Sequence, residues 1–536
     1  MAEQTIELND KRPSNEVVPV STSPVGEPKG ANLDDQRLRQ LGKRPRLNRT
    51  FGFMSTLGLS CSALSSWEGV LVTSVPGLLN GGLAGVVWGY LINWIGTMSV
   101  YATMAELSSM APTTGGQYHW VAMMAPESCA TFMAYLTAWL TTTAWQAFAC
   151  SIGYLVATTL QGIVVLAHPS YVPQSWHTVL IIWAAMLFAV VINSTTGRVL
   201  AKFEGVLLVL HLAGFFGVLI PLVYFADHNS AAMVFTTFIN TGKWSSQALS
   251  FLIGFPSVAL SLIGGDCAVR MSEEIQSSAV VVPRVLMYTI WINGSLAFGM
   301  IIALMFCIGD LDTALGATTT MFYPFLEIFQ SAVQSVVGAC FMASVVLVLG
   351  TSSTVGIYAS ASRMLWSFSR DRGLPLHRQL AKLTKSALPV NAILATLTVT
   401  VLLSLIAVAS AVALNALLSL VIGALYTSYL LASGLLLWRR LSGSIQPYSE
   451  GVEVLDSGRL RWGPWKLWEP LGVANNAFSC IYSVFLLFWS FWPPEVLPSP
   501  ETFNWSVLVY GFVVLFSIAW YAISAKHYFK GPVKEI

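Results

Sequence analysis

Residues 62–70 read SALSSWEGV, and they lie inside an apolar stretch that runs from Phe51 to about Leu79. A stretch of that length crosses a bilayer as a helix, yet this one carries Glu68 beside three serines and a glycine. A charge at bilayer depth costs about 2.5–3.5 kcal/mol on insertion scales and persists where it meets a polar cavity, a partner or a bound ligand. A second stretch repeats the theme. Residues 251–274 read FLIGFPSVALSLIGGDCAVRMSEE, with Pro256, then Gly264 and Gly265 directly before Asp266. Adjacent glycines are where a helix unwinds and leaves N–H and C=O groups without partners. Two interrupted spans, each with an acid at its weak point, point to a transporter built from two inverted five-helix repeats with its site at the midplane.

The rest of the chain fits that frame. Its 536 residues are 55% hydrophobic and 10% charged, against roughly 25% charged in soluble domains, and the mean hydropathy is +0.66. Apolar runs fall at roughly 51–79, 84–110, 128–166, 176–194, 199–225, 244–268, 284–308, 322–368, 390–409, 411–438, 474–493 and 504–524. Twelve transmembrane helices follow, and the fold class is an all-α polytopic membrane protein. The two long runs, third and eighth, are expected to hold tilted helices that extend past the lipid. Repeat one covers about 51–225, repeat two about 244–438, and helices 11 and 12, about 474–524, are additions, all within a transporter domain at 46–525. Residues 1–45, rich in Pro, Ser, Glu and Lys, are expected to be a disordered cytosolic tail, and 526–536 a cytosolic C-terminal tail. With both ends in the cytosol, 27 of the 28 Lys and Arg residues fall on the cytosolic side and only Lys243 lies outside. One missed helix early in the chain would scramble that split.

Composition also excludes classes. A net charge of +2 gives no reason to expect nucleic acid. The seven cysteines (61, 129, 150, 267, 307, 340, 480) show no metal-ligand spacing, and small buried side chains are the simpler reading. There is no GxxxxGK[ST] loop for an ATP-driven pump and no HExxH motif for a membrane metalloenzyme, so neither an enzyme nor a cofactor is expected.

The candidate polar residues at bilayer depth are Glu68, His211 in helix 5, Asp266 and Glu327 near the start of helix 8. Each has a structural alternative. Glu68 can pair with a hydroxyl or a Trp N–H; Gly264 and Gly265 can serve close packing; Asp266 can simply pair with Arg270 one turn on. His211, within LLVLHLAGFF, can be a hydrogen-bonded core residue, and Glu327 can sit at the outer surface. Tyr135, Trp139 and Trp145 form an aromatic stripe on helix 3 that suits either packing or a cationic ligand.

Four stretches together resemble the fungal amino acid/choline transporters, the 4-aminobutyrate and choline permease-like branch of the amino acid–polyamine–organocation superfamily. They are SSWEG (65–69), AELSSMAPTTGGQYHWV (105–121), GGDCAVRMSEEIQSSAVVVPR (264–284) and SASRMLWSFSRDRGLP (360–375). The resemblance covers roughly residues 40–525. It implies the leucine-transporter-like five-plus-five inverted repeat with helices 1 and 6 broken, and substrates such as 4-aminobutyrate, choline, other amino acids and related small nitrogenous compounds. It places Ala63, Leu64, Ser65, Ser66 and Trp67 where a substrate carboxylate meets backbone N–H groups, and Ser261, Gly264, Gly265 and Asp266 where its amino end binds. His211 takes the helix 5 position at which proton-coupled relatives hold a lysine. Helix 1 departs from the compact Gly-Ser-Gly pattern, leaving room for a purely cationic ligand, and Cys267 and Arg270 depart from the small residue and His of close relatives.

The expected mechanism is secondary active transport by alternating access, with protons as coupling ion because His changes charge near physiological pH. The substrate ammonium is expected to face Asp266 or Glu68 together with Tyr135 and Trp139. Gly115 and Gly116 are expected in a re-entrant or gating loop, with Glu106 in a gate ion pair to the basic SRDR stretch (369–372). The plasma membrane is the expected location ahead of the vacuolar one. Two rival classes stay open: an exporter of a basic metabolite such as an alkaloid, and a non-transporting nutrient sensor of the same fold.

Overall fold

The break in the first apolar run comes at Ser65. In the computed structural model, which describes residues 29–409, 411–449, 455–456, 459–500 and 502–535, span 1 is two helices, Phe53–Leu64 and Ser66–Thr73. Ser65 between them is left-handed at φ 41, ψ 48, a conformation that strains a non-glycine residue and persists only when its surroundings enforce it. Span 6 is opened more widely. A helix at Gln247–Gly254 tightens into a 3-10 segment at Phe255–Leu262, where Pro256 removes a backbone donor. Extended chain follows before a short helix resumes at Cys267–Arg270.

The remaining spans are continuous or gently broken. They are Val75–Met110, Glu127–Ala167, Ser175–Asn193, Gly197–Phe225, Ser278–Cys307, Val336–Arg370, Val390–Ala409, Ala411–Leu441, Glu469–Ser490 and Ser506–Ile523. Among the described residues nine helices are long and apolar enough to cross a membrane, and spans 1, 6 and 9 complete the twelve runs. Large apolar side chains left uncovered on these helices, such as Leu187, Val209, Phe216, Phe341, Ile481 and Leu515, form the outer surface, as lipid requires.

Packing pairs equivalent positions of the two halves. Span 2 lies along span 7 and span 3 along span 8, while each half of span 1 packs on the opposite half of span 6: Phe53–Leu64 against Cys267–Arg270, and Ser66–Thr73 against Phe255–Leu262. An inverted repeat generates these pairings.

Two sequence expectations are corrected. The eighth run, 322–368, is no single tilted helix. Pro324 starts a short helix ending at Val333, Gln334 turns left-handed at φ 47, and the Ser335 hydroxyl accepts from the Gly338 N–H to start span 8 afresh. Glu327 therefore sits on the short helix, where it accepts from Ser331 Oγ at 3.0 Å. The tail expected to be disordered through residue 45 is helical over Lys29–Gln40. That helix docks by burying Leu38 and by Asp34, which accepts the Ser277 N–H at 2.6 Å at the head of span 7; composition alone does not register a helix held by so few contacts. Residues 1–28 of the expected tail lie outside the described residues. The connection after span 10 carries a small three-stranded sheet in which Ile445–Gln446 runs parallel and Leu455–Asp456 antiparallel to Arg459–Arg461.

The interruption of span 6 depends on glycine at one position above all. Gly264 has φ +124, and a Cβ there would lie 2.8 Å from the Ala63 carbonyl oxygen of span 1. Gly264→Ala is therefore expected to cost about 1–3 kcal/mol in backbone strain plus the steric conflict, read as a lower melting temperature of the purified protein. Ala substitution at Gly205, which meets nothing within 4 Å, is expected to leave the melting temperature unchanged.

Candidate functional site

Where spans 1 and 6 open, their loose ends are tied to each other. Ser60 Oγ donates to the Gly265 carbonyl at 2.6 Å, and Cys267 Sγ approaches the Leu59 carbonyl at 3.5 Å. Tyr101 from span 2 donates its hydroxyl to the Leu262 carbonyl at 3.3 Å and accepts the Gly265 N–H at 3.0 Å. Asn293 of span 7 faces the Ser66 N–H at 3.5 Å, the edge of bonding distance. The helix that starts at Ser66 directs its first N–H groups, and with them the positive end of its dipole, toward this crossing. Ala63, Gly264 and Gly265 thus meet at one place, with Phe148 of span 3 beside Gly264 and Ser261 against Gly69; Leu64, Ser65 and Ser66 form the break of span 1 itself, and Trp67 faces span 5.

Glu68 turns away from the crossing toward span 5. Its Oε1 lies 2.8 Å from His211 Nδ1, and both side chains are buried. Trp67 packs over the same imidazole, with ring centroids 6.1 Å apart. A second acid, which the sequence reading missed, lies two helical turns before His211 on the same face of span 5. Glu204 is fully buried and accepts from Ser62 Oγ at 2.7 Å. Gly58 lets the two helices close to this distance, since a Cβ there would stand 2.1 Å from the Glu204 carbonyl. Glu204 Oε1, Glu68 Oε2, His211 Nε2, Ser66 Oγ and Ser353 Oγ are buried without a hydrogen-bond partner among the described residues. The available signal was the spacing from Glu204 to His211, seven residues, which repeats a helical face.

Asp266 looks the other way, toward the end of the molecule that carries both termini. It accepts from Gln117 Nε2 at 3.2 Å and lies 3.7 Å from Arg270 Nη2. Arg270 in turn donates to the Gly115 carbonyl at 2.8 Å and to the Gln117 side chain. Gly115 and Gly116 (φ 53) shape this turn before the helix Gln117–Met124. Below it a second layer joins Glu273 to Arg370 through two bonds of 2.7 and 2.8 Å, and Glu274 to Arg363 at 3.0 Å. Burial would raise the Glu273 carboxyl, but the Arg370 guanidinium outweighs it and holds that acid below its ordinary range. A third layer joins Lys43 to Asp371, which also accepts from Tyr118 at 2.7 Å.

Two expectations about this region change. Glu106 does not pair with the SRDR stretch. It binds Arg440 of span 10 at 2.6 and 3.0 Å and accepts the Leu467 N–H at 3.0 Å, while Arg370 and Asp371 of SRDR are taken by Glu273 and Lys43. Tyr135 and Trp139 do not line the crossing. Tyr135 packs against Phe368, Tyr521 and Phe529, and Trp139 against Phe368 and Phe516, in an aromatic cluster nearer the termini. They stand about three turns of span 3 from Phe148, so the period that aligned them with the site carried them past its depth.

On the opposite face the molecule is hollow. A cavity of about 510 Å³ runs between the ends of spans 1, 3 and 6, the short helix before span 8 and the loop between spans 11 and 12. Thr73, Tyr154, Ser257, Leu260, Tyr323 and Trp489 are among its walls, and among the described residues no Asp, Glu, Lys or Arg lines it. Ser257 and Leu260 carry the cavity to within a turn of Ser261, the residue against which Gly69 packs. No group of three metal-ligating side chains occurs among the described residues.

Comparison with known proteins agrees with this architecture. The family described as amino acid permease matches residues 51–514. Among curated relatives, an uncharacterised amino-acid permease of Schizosaccharomyces pombe is 27% identical, covering 99% of this chain and 93% of its own length. A choline transporter of Saccharomyces cerevisiae is 28% identical over 90% of this chain and 83% of its own length. Amino-acid permease 2 of Neurospora crassa is 24% identical over 93% and 89%. These relatives carry transporter names, not enzyme names.

Two outcomes are expected from the closed face. Arg370→Gln leaves Glu273 buried and unpaired, which is expected to destabilise the protein by about 3–5 kcal/mol, and Glu273→Gln in the same chain is expected to restore part of the loss in a melting measurement. His119, buried beside Lys43, Asp371, Arg370 and Glu273, is pushed down to about 4 by burial and then by Lys43. It stays neutral when folded, while the unfolded chain takes up that proton from about 6.5 downward. Stability is therefore expected to fall as pH drops from about 6.5 to about 4, and His119→Gln to flatten that part of a melting-temperature curve.

Proposed function

The chain belongs to the amino acid permease family, and from that premise we propose that it is a secondary active transporter that moves a small nitrogenous compound across a membrane by alternating access. The observation that carries the proposal is the asymmetry around the crossing of spans 1 and 6. Three layers of buried ion pairs close the face that bears the termini, while a cavity with no charged wall among the described residues approaches the same crossing from the opposite face. Such a protein is loaded from the hollow side and released through the layered side once those pairs separate.

The acids support a cationic cargo. Glu68 stands on span 1 with His211 as its partner, Glu204 stands on span 5, and Glu204 makes no ion pair among the described residues. A region short of positive charge favours an organic ammonium, such as choline or the amino end of 4-aminobutyrate, over an anion. The same region supports proton coupling. Glu204 and the Glu68–His211 pair bridge span 1 to span 5, and a proton on the carboxylate removes the unbalanced charge that these helices must otherwise accommodate as they move. Glu204 takes the coupling role at the helix 1–helix 5 contact, with His211 holding Glu68 in place. The basic residues flanking the spans on the termini side support cytosolic ends, and a plasma-membrane location fits a carrier of this kind.

Counterflow into proteoliposomes tests the reading. Preloaded vesicles are expected to accumulate radiolabelled choline, 4-aminobutyrate or another small amine, which neither an enzyme nor a sensor produces. Glu204→Gln is expected to lower proton-driven uptake at least tenfold and to flatten its pH dependence while leaving counterflow exchange measurable. Unchanged pH dependence in both Glu204→Gln and Glu68→Gln would exclude the coupling roles, and an absence of counterflow across the amine panel would exclude transport of this class.

A further inference from the structure

We propose that the C-terminal segment Ala525–Glu535 is a latch that holds the termini-side gate shut, with Asp371 as the keeper it engages. Three separate pieces of chain converge on this fully buried carboxylate. The N-terminal segment supplies Lys43, the helix after span 2 supplies the Tyr118 hydroxyl at 2.7 Å, and the C-terminal segment supplies the Val533 N–H at 3.0 Å. Each comes from a part of the molecule that must separate if this face is to open.

The C-terminal segment is held along its length. Ala525 and Phe529 are fully buried, and the Phe529 ring packs against Tyr135 at 5.2 Å and Phe368 at 5.9 Å. Further on, the Glu535 N–H donates to the Gly42 carbonyl at 2.6 Å. The Glu535 side chain accepts the Arg44 N–H at 2.8 Å and pairs with Arg46 at 2.9 Å. Span 3 through Tyr135, span 8 through Phe368 and Asp371, and the N-terminal segment through Gly42, Arg44 and Arg46 are thus clasped by one strand of chain. Among the described residues none of its contacts touches the cavity or the crossing of spans 1 and 6, so its effect falls on the position of the gate and not on ligand binding. Hydrogen bonds to a charged group change an equilibrium by roughly tenfold or more each. Displacing Glu535, by a partner or by a change of charge, therefore shifts the gate toward opening.

The inference rests on reading the layered face as one gate of an alternating-access carrier, but its test does not require transport. Hydrogen–deuterium exchange is followed on the full-length protein in nanodiscs, in peptides spanning 113–119 and 264–275. Four variants are compared: Glu535→Lys, which sets a like charge against Arg46; Val533→Pro, which removes the N–H that Asp371 accepts; truncation after Lys530; and Glu535→Gln. Exchange at both peptides is expected to quicken about fivefold to twentyfold, with a cavity-wall peptide spanning 486–494 unchanged as evidence that the fold is intact. Glu535→Gln is expected to give a smaller increase in the same peptides. Exchange within twofold of the parent in all variants would overturn the latch, as would equal acceleration throughout the chain. Release of the gate in a protein that shows no counterflow would leave the latch standing and sink the transport reading instead.

Discussion

Everything in this molecule is arranged around a demand of the bilayer: polar backbone groups at its centre need partners within the protein. Spans 1 and 6 both break that rule locally, and each supplies what the other lacks. Ser60 reaches across to the Gly265 carbonyl, Cys267 to the Leu59 carbonyl, and Tyr101 serves both sides of the gap in span 6. The breaks are tolerable only because they are opposed, and opposing them requires two halves of the chain to pack as inverted copies. The pairing of span 2 with span 7 and span 3 with span 8 is the wider expression of the same constraint.

The charges then divide the molecule. Toward the termini they are numerous and matched: Arg270 with Asp266, Arg370 with Glu273, Arg363 with Glu274, Lys43 with Asp371, Arg440 with Glu106. Matched buried pairs contribute modestly to stability but punish any displacement of one partner, which suits surfaces that meet in one register. Burial lowers the Lys43 ammonium even beside Asp371, so this layer is held by geometry as much as by charge. Toward the other face the walls are aromatic, aliphatic and hydroxyl-bearing, with no charged side chain among the described residues. Between the two lie Glu68, held by His211, and Glu204, held by the Ser62 hydroxyl, neither of which has an arginine or lysine partner among the described residues.

Much of this was legible in the residues. The twelve apolar runs, the one-sided placement of Lys and Arg, and the coincidence of acids with Ser and Gly clusters are local properties, and local physics fixes them: length sets the span, and glycine permits the unwinding. Asp266, Gly264, Gly265 and Ala63 to Trp67 do gather at the two breaks. The failures have a common cause. A helical face can be counted from spacing, but its height in the membrane and its neighbour cannot. Tyr135 and Trp139 share a stripe with Trp145 yet stand too far along span 3. Glu106 had several arginines within reach of a plausible loop, and Arg440, 334 residues away, was invisible to any argument from sequence proximity.

The sequence by itself therefore determined the membrane character, the placing of the apolar runs and the points where two helices open. Only the tertiary structure decided which charge meets which: that Glu68 turns to His211, that Asp266 meets Gln117 and Arg270, that Glu204 stands against Ser62, and that the Val533 N–H reaches Asp371. Spans are set by the chemistry of neighbouring residues with the solvent around them, whereas ion pairs are set by contacts between distant segments, which exist only once the chain has folded.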